Sequence, residues 1–230
     1  MNLRLYDLAA AEPDRRFSPY CWRTRMALAH KELPVETIPW RFTEKSALAL
    51  SGQGSVPVLV DGDEWIADSW AIACHLEDRY PDRPSLFGEG DGRALCRFHS
   101  AIADGLVNAI AGFIIVDVLD RLDHRDVAYF RQSREARFGK PLEQVVADRD
   151  ERLPAFRKSL SALRATLKTQ PYFGGSEPLY ADYALFGPFQ WARCISPFAL
   201  LEQGDPVLKW RDRLLDRFGG LARAVPAYGP

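Results

Sequence analysis

Residues 17–25 read Phe17-Ser18-Pro19-Tyr20-Cys21-Trp22-Arg23-Thr24-Arg25, and the transition they encode decides how the first half of the chain folds. Upstream, Leu3-Arg4-Leu5-Tyr6 alternates apolar and polar positions with β-forming residues, which predicts a short strand. Downstream, Trp22, Met26, Leu28 and Ala29 recur among good helix formers, which predicts a helix ending near Lys31. Ser18 thus stands at a helix start. Its hydroxyl suits an N-cap, and Pro19 lacks only a donor that a helix end cannot use. A helix start also carries free N–H groups and a partial positive charge, which suit an anion such as a thiolate held beside the serine.

The segments that follow extend this reading. Residues 34–38 alternate as a second strand, 39–42 are irregular, and 43–50 have helical tendency with Thr43 as a possible cap. A Gly-rich loop at 52–55 delivers the strand 56–60, with Pro57 at its beginning as strand prolines require. Asp61-Gly62-Asp63 predicts a hairpin turn, 64–67 the returning strand, and a helix runs from Asp68-Ser69 to Tyr80, stopped by Pro81. That order is compatible with an α/β, thioredoxin-like domain over residues 1–80. Residues 81–92, with Pro81, Pro84, Gly88, Gly90 and Gly92, read as a linker.

Residues 93–230 lack strand signals and predict an all-helical domain. One long helical pattern covers 93–120, and its apolar part at 106–119 suits a core, a substrate cavity or a subunit interface. Further helices are expected over 126–139 and 142–167, the latter kinked near Pro154, then from 180 to about 196 and over 207–218.

Composition narrows the classes. The 230 residues are 47% hydrophobic and 27% charged, ordinary for a soluble globular enzyme. Thirty basic residues against 31 acidic ones leave no field that favours nucleic acid or an anionic membrane. No apolar run reaches a transmembrane length, and Asp7, Glu12 and Asp14 interrupt the N-terminal stretch where a secretory signal would need an apolar centre. Cys21, Cys74, Cys96 and Cys194 make no metal-ligand spacing with the four histidines, so no metal is expected. Free thiols imply a reducing compartment, and the expected location is the cytoplasm.

Three segments together resemble the cytosolic glutathione transferases over nearly the whole chain. Ser18-Pro19-Tyr20-Cys21-Trp22-Arg23 is similar to that family's serine-type active-site helix start. Val56-Pro57 matches its valine and cis-proline, and Asp68-Ser69-Trp70-Ala71-Ile72 its acidic-Ser-x-x-Ile segment. Within the family, FSPYCWRTRMAL, EWIADSWAIACHLEDRYPDRPSLF and YFRQSREARFGKPLE resemble the bacterial β-aryl-etherase and fungal etherase-like group. One departure is Leu179, where the family usually has Ser, Thr or Asn capping the helix that contains Asp182; the carboxylate can still reach back to the backbone.

The resemblance implies glutathione as co-substrate, a hydrophobic electrophile and a homodimer. It assigns Ser18 as the hydrogen-bond donor to the glutathione thiolate. Val56 pairs its backbone with the cysteinyl part beside Pro57, and Asp68 and Ser69 hold the γ-glutamyl end. Arg41 is expected at the glycyl carboxylate, with Lys45 in the same segment and Gln53 as a further ligand. Phe17, Tyr20, Trp40, Ile115 and Trp191 are candidate walls of the electrophile site. The most specific reaction implied is displacement at the carbon bearing an aryl ether. Alternatives are general conjugation, peroxidase or isomerase activity, or a non-catalytic binder of phenolic ligands. Cys21, three residues past Ser18, is the rival nucleophile, since a thiol near a helix start can ionise early.

Overall fold

The computed structural model describes residues 3–228. Strand β1 (Leu3–Leu8) runs through a loop into helix α1 (Pro19–His30), and β2 (Val35–Trp40) returns parallel to β1. After a 3₁₀ segment at Lys45–Ser51, β3 (Val58–Asp61) and β4 (Glu64–Ala67) form a hairpin on the other side of β1. The sheet order is β2-β1-β3-β4, and α2 (Ser69–Arg79) closes the unit. This is the thioredoxin-like half that the element order predicts. Leu3, Leu5, Val58 and Leu59 are fully or almost fully buried, as expected for central strands.

The second half consists of α3 (Gly92–Ile114), α4 (His124–Phe138), α5 (Leu142–Val146), α6 (Arg149–Ser159), α7 (Ser161–Leu167), α8 (Tyr180–Ile195) and α9 (Pro206–Gly220). Every residue of α8 is buried, because this helix packs against both α1 and α3 and joins the two halves. Asp182 anchors it. Its carboxylate accepts from the N–H groups of Phe173, Gly174 and Leu179 and from Trp210 Nε1, at 2.8–3.1 Å. Leu179 offers no side-chain cap, so the capping box is reduced to the Asp182 half, whose carboxylate accepts from the Leu179 N–H.

Several sequence expectations are corrected. Thr43 does not cap the segment after it; its N–H and hydroxyl both donate to Asp126 on α4, at 3.0 and 2.7 Å. The strand β2 continues through Pro39, which needs no ladder donor at a sheet edge. The helix expected over 93–120 ends at Ile114, and a separate 3₁₀ turn covers Leu119–Arg121. Pro154 lies inside α6, whose helical φ it fits, and the expected 142–167 helix breaks at 147–148 and at Leu160 instead.

Candidate functional site

The sheet register gathers the three motif segments at one edge. Val58 pairs with Tyr6 of β1 and with Ala67 of β4, so Val56-Pro57 and Asp68-Ser69 leave the sheet at the end where β1 finishes. The loop after β1 folds back there: Ala9 bridges Arg16, and the Phe17 N–H donates to the Leu8 carbonyl at 3.3 Å. Ser18 is thereby placed beside the strand ends. Ligands in open α/β sheets bind at such ends.

Ser18 is the N-cap of α1 and only 4% exposed. Its Oγ accepts from the Cys21 N–H at 3.2 Å, and Pro19 occupies the first helical position. The oxygen is the acceptor in that bond, so the hydroxyl keeps its own proton as a donor. Gly187 on α8 meets this helix start at close range. A Cβ there would lie 2.1 Å from the Pro19 carbonyl oxygen, so only glycine lets the two backbones approach so closely.

Cys21, one turn into the helix, keeps its thiol within hydrogen-bond reach of the Ser18 side chain. It is fully buried, and burial, with the Asp7 carboxylate beside it, pushes its thiol well above the usual value. Hydrogen bonding with Ser18 and the Leu8 backbone works in the other direction but does not offset these two effects.

A cavity of about 310 Å³ opens at Ser18 between the two halves of the chain. Phe17, Tyr20, Trp40, Ile115 and Trp191, the walls named from sequence, all line it together with Val56. The Val56-Pro57 peptide is cis. Asp68 and Ser69 lie outside the lining, at the start of α2. Asp68 holds a positive φ of 78° and its Oδ1 accepts from the N–H groups of Trp70 and Ala71 at 2.9 and 3.0 Å. The residue itself is exposed. Ser69 is buried, and its carbonyl accepts from Tyr180 of α8 at 2.8 Å.

Arg41 is not brought to the cavity. Its guanidinium lies 3.6 Å from Asp123 and 3.9 Å from Glu44, and donates to the Ala11 carbonyl at 3.3 Å. Lys45 is better placed: its ammonium sits 4.6 Å from the ring centroid of Tyr129, a cavity residue, and no carboxylate lies within ion-pair distance of it among the described residues. Gln53 turns its amide to the Ser55 carbonyl at 2.8 Å, next to the cavity loop Gly54-Ser55.

Sequence reasoning missed most of the helical contribution to the cavity. Val107, Asn108 and Ala111 of α3 line it, as do Phe130, Arg134, Arg137 and Phe138 of α4. The spacing Phe130, Arg134, Phe138 puts three of these on one helical face, a signal present in the charged stretch 126–139. Asp126 seats α4 against this face of the first half. Its buried carboxylate accepts from the Phe42 N–H at 3.0 Å as well as from Thr43.

A thioredoxin-like half with a capped serine at its strand ends, roofed by a helical half over an aromatic cavity, is the architecture of a glutathione transferase. Sequence profiles agree: residues 17–79 match the glutathione S-transferase N-terminal domain, and 96–218 match its C-terminal domain. The chain belongs to the glutathione S-transferase family. Among solved structures, glutathione transferase GSTFuA3 from Phanerochaete chrysosporium superposes with a TM-score of 0.82 at 26% identity, covering 93% of this chain and 96% of that one. A glutathione S-transferase of Ceriporiopsis subvermispora, solved in complex with glutathione, gives 0.82 at 25% identity over 98% and 99% of the two chains. The glutathione S-transferase-like protein ustS of Aspergillus flavus is 32% identical over 141 residues, 54% of this chain. That match spans about half (49%) of the ustS length. Glutathione S-transferase U28 of Arabidopsis thaliana is 24% identical over 91% of this chain and 85% of its own. No helix among the described residues is long and apolar enough to cross a membrane.

Proposed function

We propose that this transferase ionises glutathione at Ser18 and delivers the thiolate to an aromatic electrophile held in the cavity between its two halves. One observation carries the reading: Ser18, at a helix start, lines the same cavity as Phe17, Tyr20, Trp40, Ile115 and Trp191. A serine is too weak a base to take the thiol proton, which passes to solvent water. It acts as donor to the sulfur anion, and the positive end of α1 adds to that stabilisation. The Val56 backbone would pair with the cysteinyl part of the tripeptide. Asp68 and the start of α2 suit the γ-glutamyl amine and carboxylate respectively. Lys45 is better disposed than Arg41 for the glycyl carboxylate, since Arg41 is already paired with Asp123 and Glu44.

The reaction we favour is displacement at a carbon bearing an aryl ether. The thiolate attacks that carbon, the C–O bond breaks with its electron pair leaving as phenolate, and a glutathione thioether forms. Glutathione is consumed as co-substrate. The ring-lined cavity supports an aromatic substrate.

The working unit is proposed to be a homodimer. Leu95, Phe98 and Ile102 form an exposed apolar stripe on α3, at 54%, 62% and 37% exposure, and Leu50 is 76% exposed. Such a stripe, at spacings of three and four, suits a second copy of the chain. A charged residue at Phe98 should shift the mass in solution from dimer to monomer.

The catalytic test is a pair of variants assayed with 1-chloro-2,4-dinitrobenzene and a model β-aryl ether. Ser18→Ala should lose about 10²-fold in kcat, the usual effect of deleting one preorganised donor. Cys21→Ser should keep most activity. Survival of Ser18→Ala with loss in Cys21→Ser would overturn the assignment. Binding of glutathione without turnover of either substrate would indicate a non-catalytic binder.

A further inference from the structure

The cavity is aromatic, yet it is not neutral. Arg134 and Arg137, one turn apart on α4, both line it, and no carboxylate does among the described residues. Most buried or half-buried arginines here are matched: Arg16 and Arg25 face Asp7, Arg23 faces Asp104, and Arg164 faces Asp205. Arg134 has no acidic partner within ion-pair distance among the described residues. Its guanidinium instead lies 5.4 Å from the Phe42 ring centroid and 4.9 Å from that of Phe130, and donates to Ser133 Oγ at 3.1 Å. Burial draws its pKa below the ordinary arginine value, the Tyr129 hydroxyl opposes this, and the Arg137 charge adds to the lowering. Arg137 is held at the cavity by the side chain of Asn108. A half-buried cation stacked on rings, with no carboxylate beside it among the described residues, has the chemistry of an anion receptor.

We infer that the electrophile carries a carboxylate on its aromatic frame, and that Arg134, backed by Arg137, receives it. The inference rests on the proposed thiolate chemistry and names its substrate class. A planar carboxylate fits the guanidinium fork bidentately, while the substrate ring packs among the aromatic walls. The same device orients the reacting carbon, because it fixes the ring's far end.

The test compares each substrate with itself, so intrinsic reactivity cancels. Wild type, Arg134→Gln and Arg134→Lys are assayed with 1-chloro-2,4-dinitrobenzene and with 4-chloro-3,5-dinitrobenzoate. Arg134→Gln should lose about tenfold or more in kcat/KM on the carboxylate beyond any loss on the neutral substrate, chiefly through KM, as for a lost hydrogen bond to a charged group. Arg134→Lys should recover part of it. Equal losses on both substrates would overturn the inference and make Arg134 a packing residue. A rise in glutathione KM that exceeds the effect on the carboxylate would also overturn it, because the guanidinium would then serve glutathione. Binding of S-(4-carboxybenzyl)glutathione and S-benzylglutathione, followed by tryptophan quenching, reads the same preference without turnover. The carboxylated thioether should bind more tightly to wild type and lose that advantage in Arg134→Gln; equal affinities for wild type would refute the inference. Inactivity on both electrophiles, with the binding preference intact, would count against the proposed chemistry alone.

Discussion

Gly187→Ala tests whether the contact between α8 and the start of α1 sets the site. The added Cβ would lie 2.1 Å from the Pro19 carbonyl oxygen and 3.1 Å from its carbon, whereas real Cβ contacts essentially never fall under 3.0 Å. Both partners are backbone, so no flexible side chain can move aside. The helices must separate by about 1 Å, and the strain falls on the residue after Ser18. Overpacking of this kind costs about 3 kcal/mol at the upper end of its usual range. Alanine returns about 1 kcal/mol of helix propensity. The net loss of about 2 kcal/mol corresponds to a Tm about 4–8 °C lower for a chain of this size. A displacement near 1 Å at the reacting group costs about 10²-fold in rate. Thermal unfolding and kcat with 1-chloro-2,4-dinitrobenzene measure both effects. Gly105→Ala is the control: it lies on α3 with nothing within 4 Å of a new Cβ, and should be neutral or slightly stabilising. A Gly187→Ala protein as stable and active as that control would refute the reasoning.

Other perturbations follow from the same geometry. Asp126→Ala removes the acceptor for the N–H groups of Phe42 and Thr43 and the Thr43 hydroxyl; it should cost about 3 kcal/mol in denaturant unfolding and raise the KM of the electrophile, because Phe42 lines the cavity. Glu77→Gln leaves Lys31, whose side chain is 1% exposed, without its partner at 2.8 Å, and should destabilise by about 3 kcal/mol. Burial raises the Glu77 pKa, but bonds from the Leu86 N–H, Lys31 and Ser85 outweigh it and hold the carboxyl below its ordinary 4.5. Its stabilisation is therefore full above pH 4.5 and lost as pH falls through the lowered folded value, so the acid dependence of unfolding should flatten in Glu77→Gln.

Much of the first half was legible because its signals are local. The strand alternation around Leu3–Tyr6, the Gly62 turn and the two helix starts at Ser18 and Asp68 each reside in a few neighbouring residues, and the register of β3 then brings them together. Phe17, Tyr20, Trp40, Ile115 and Trp191 are large apolar side chains, which the sequence alone cannot tell from core, and the structure puts all five on one cavity. The rest depended on contacts between distant segments. Thr43 reads locally as a cap, but Asp126, far along the chain, takes both its N–H and its hydroxyl. Arg41 sits in the expected segment, yet Asp123 and Glu44 occupy its charge. Arg134 reads as one charge in a polar helix until folding lays that face over the cavity, and Gly187 reveals its purpose only when α8 meets Pro19.

The central claim is that Ser18 and the start of α1 stabilise a glutathione thiolate, and titration of bound glutathione tests it most directly. Far-ultraviolet thiolate absorbance of the saturated complex should show the thiol ionising a unit or more below the ordinary thiol value of about 8.5. In Ser18→Ala the midpoint should rise by about one unit, the equivalent of one charge-assisted hydrogen bond. A wild-type midpoint at the ordinary thiol value, or one that Ser18→Ala leaves unmoved, would contradict the account.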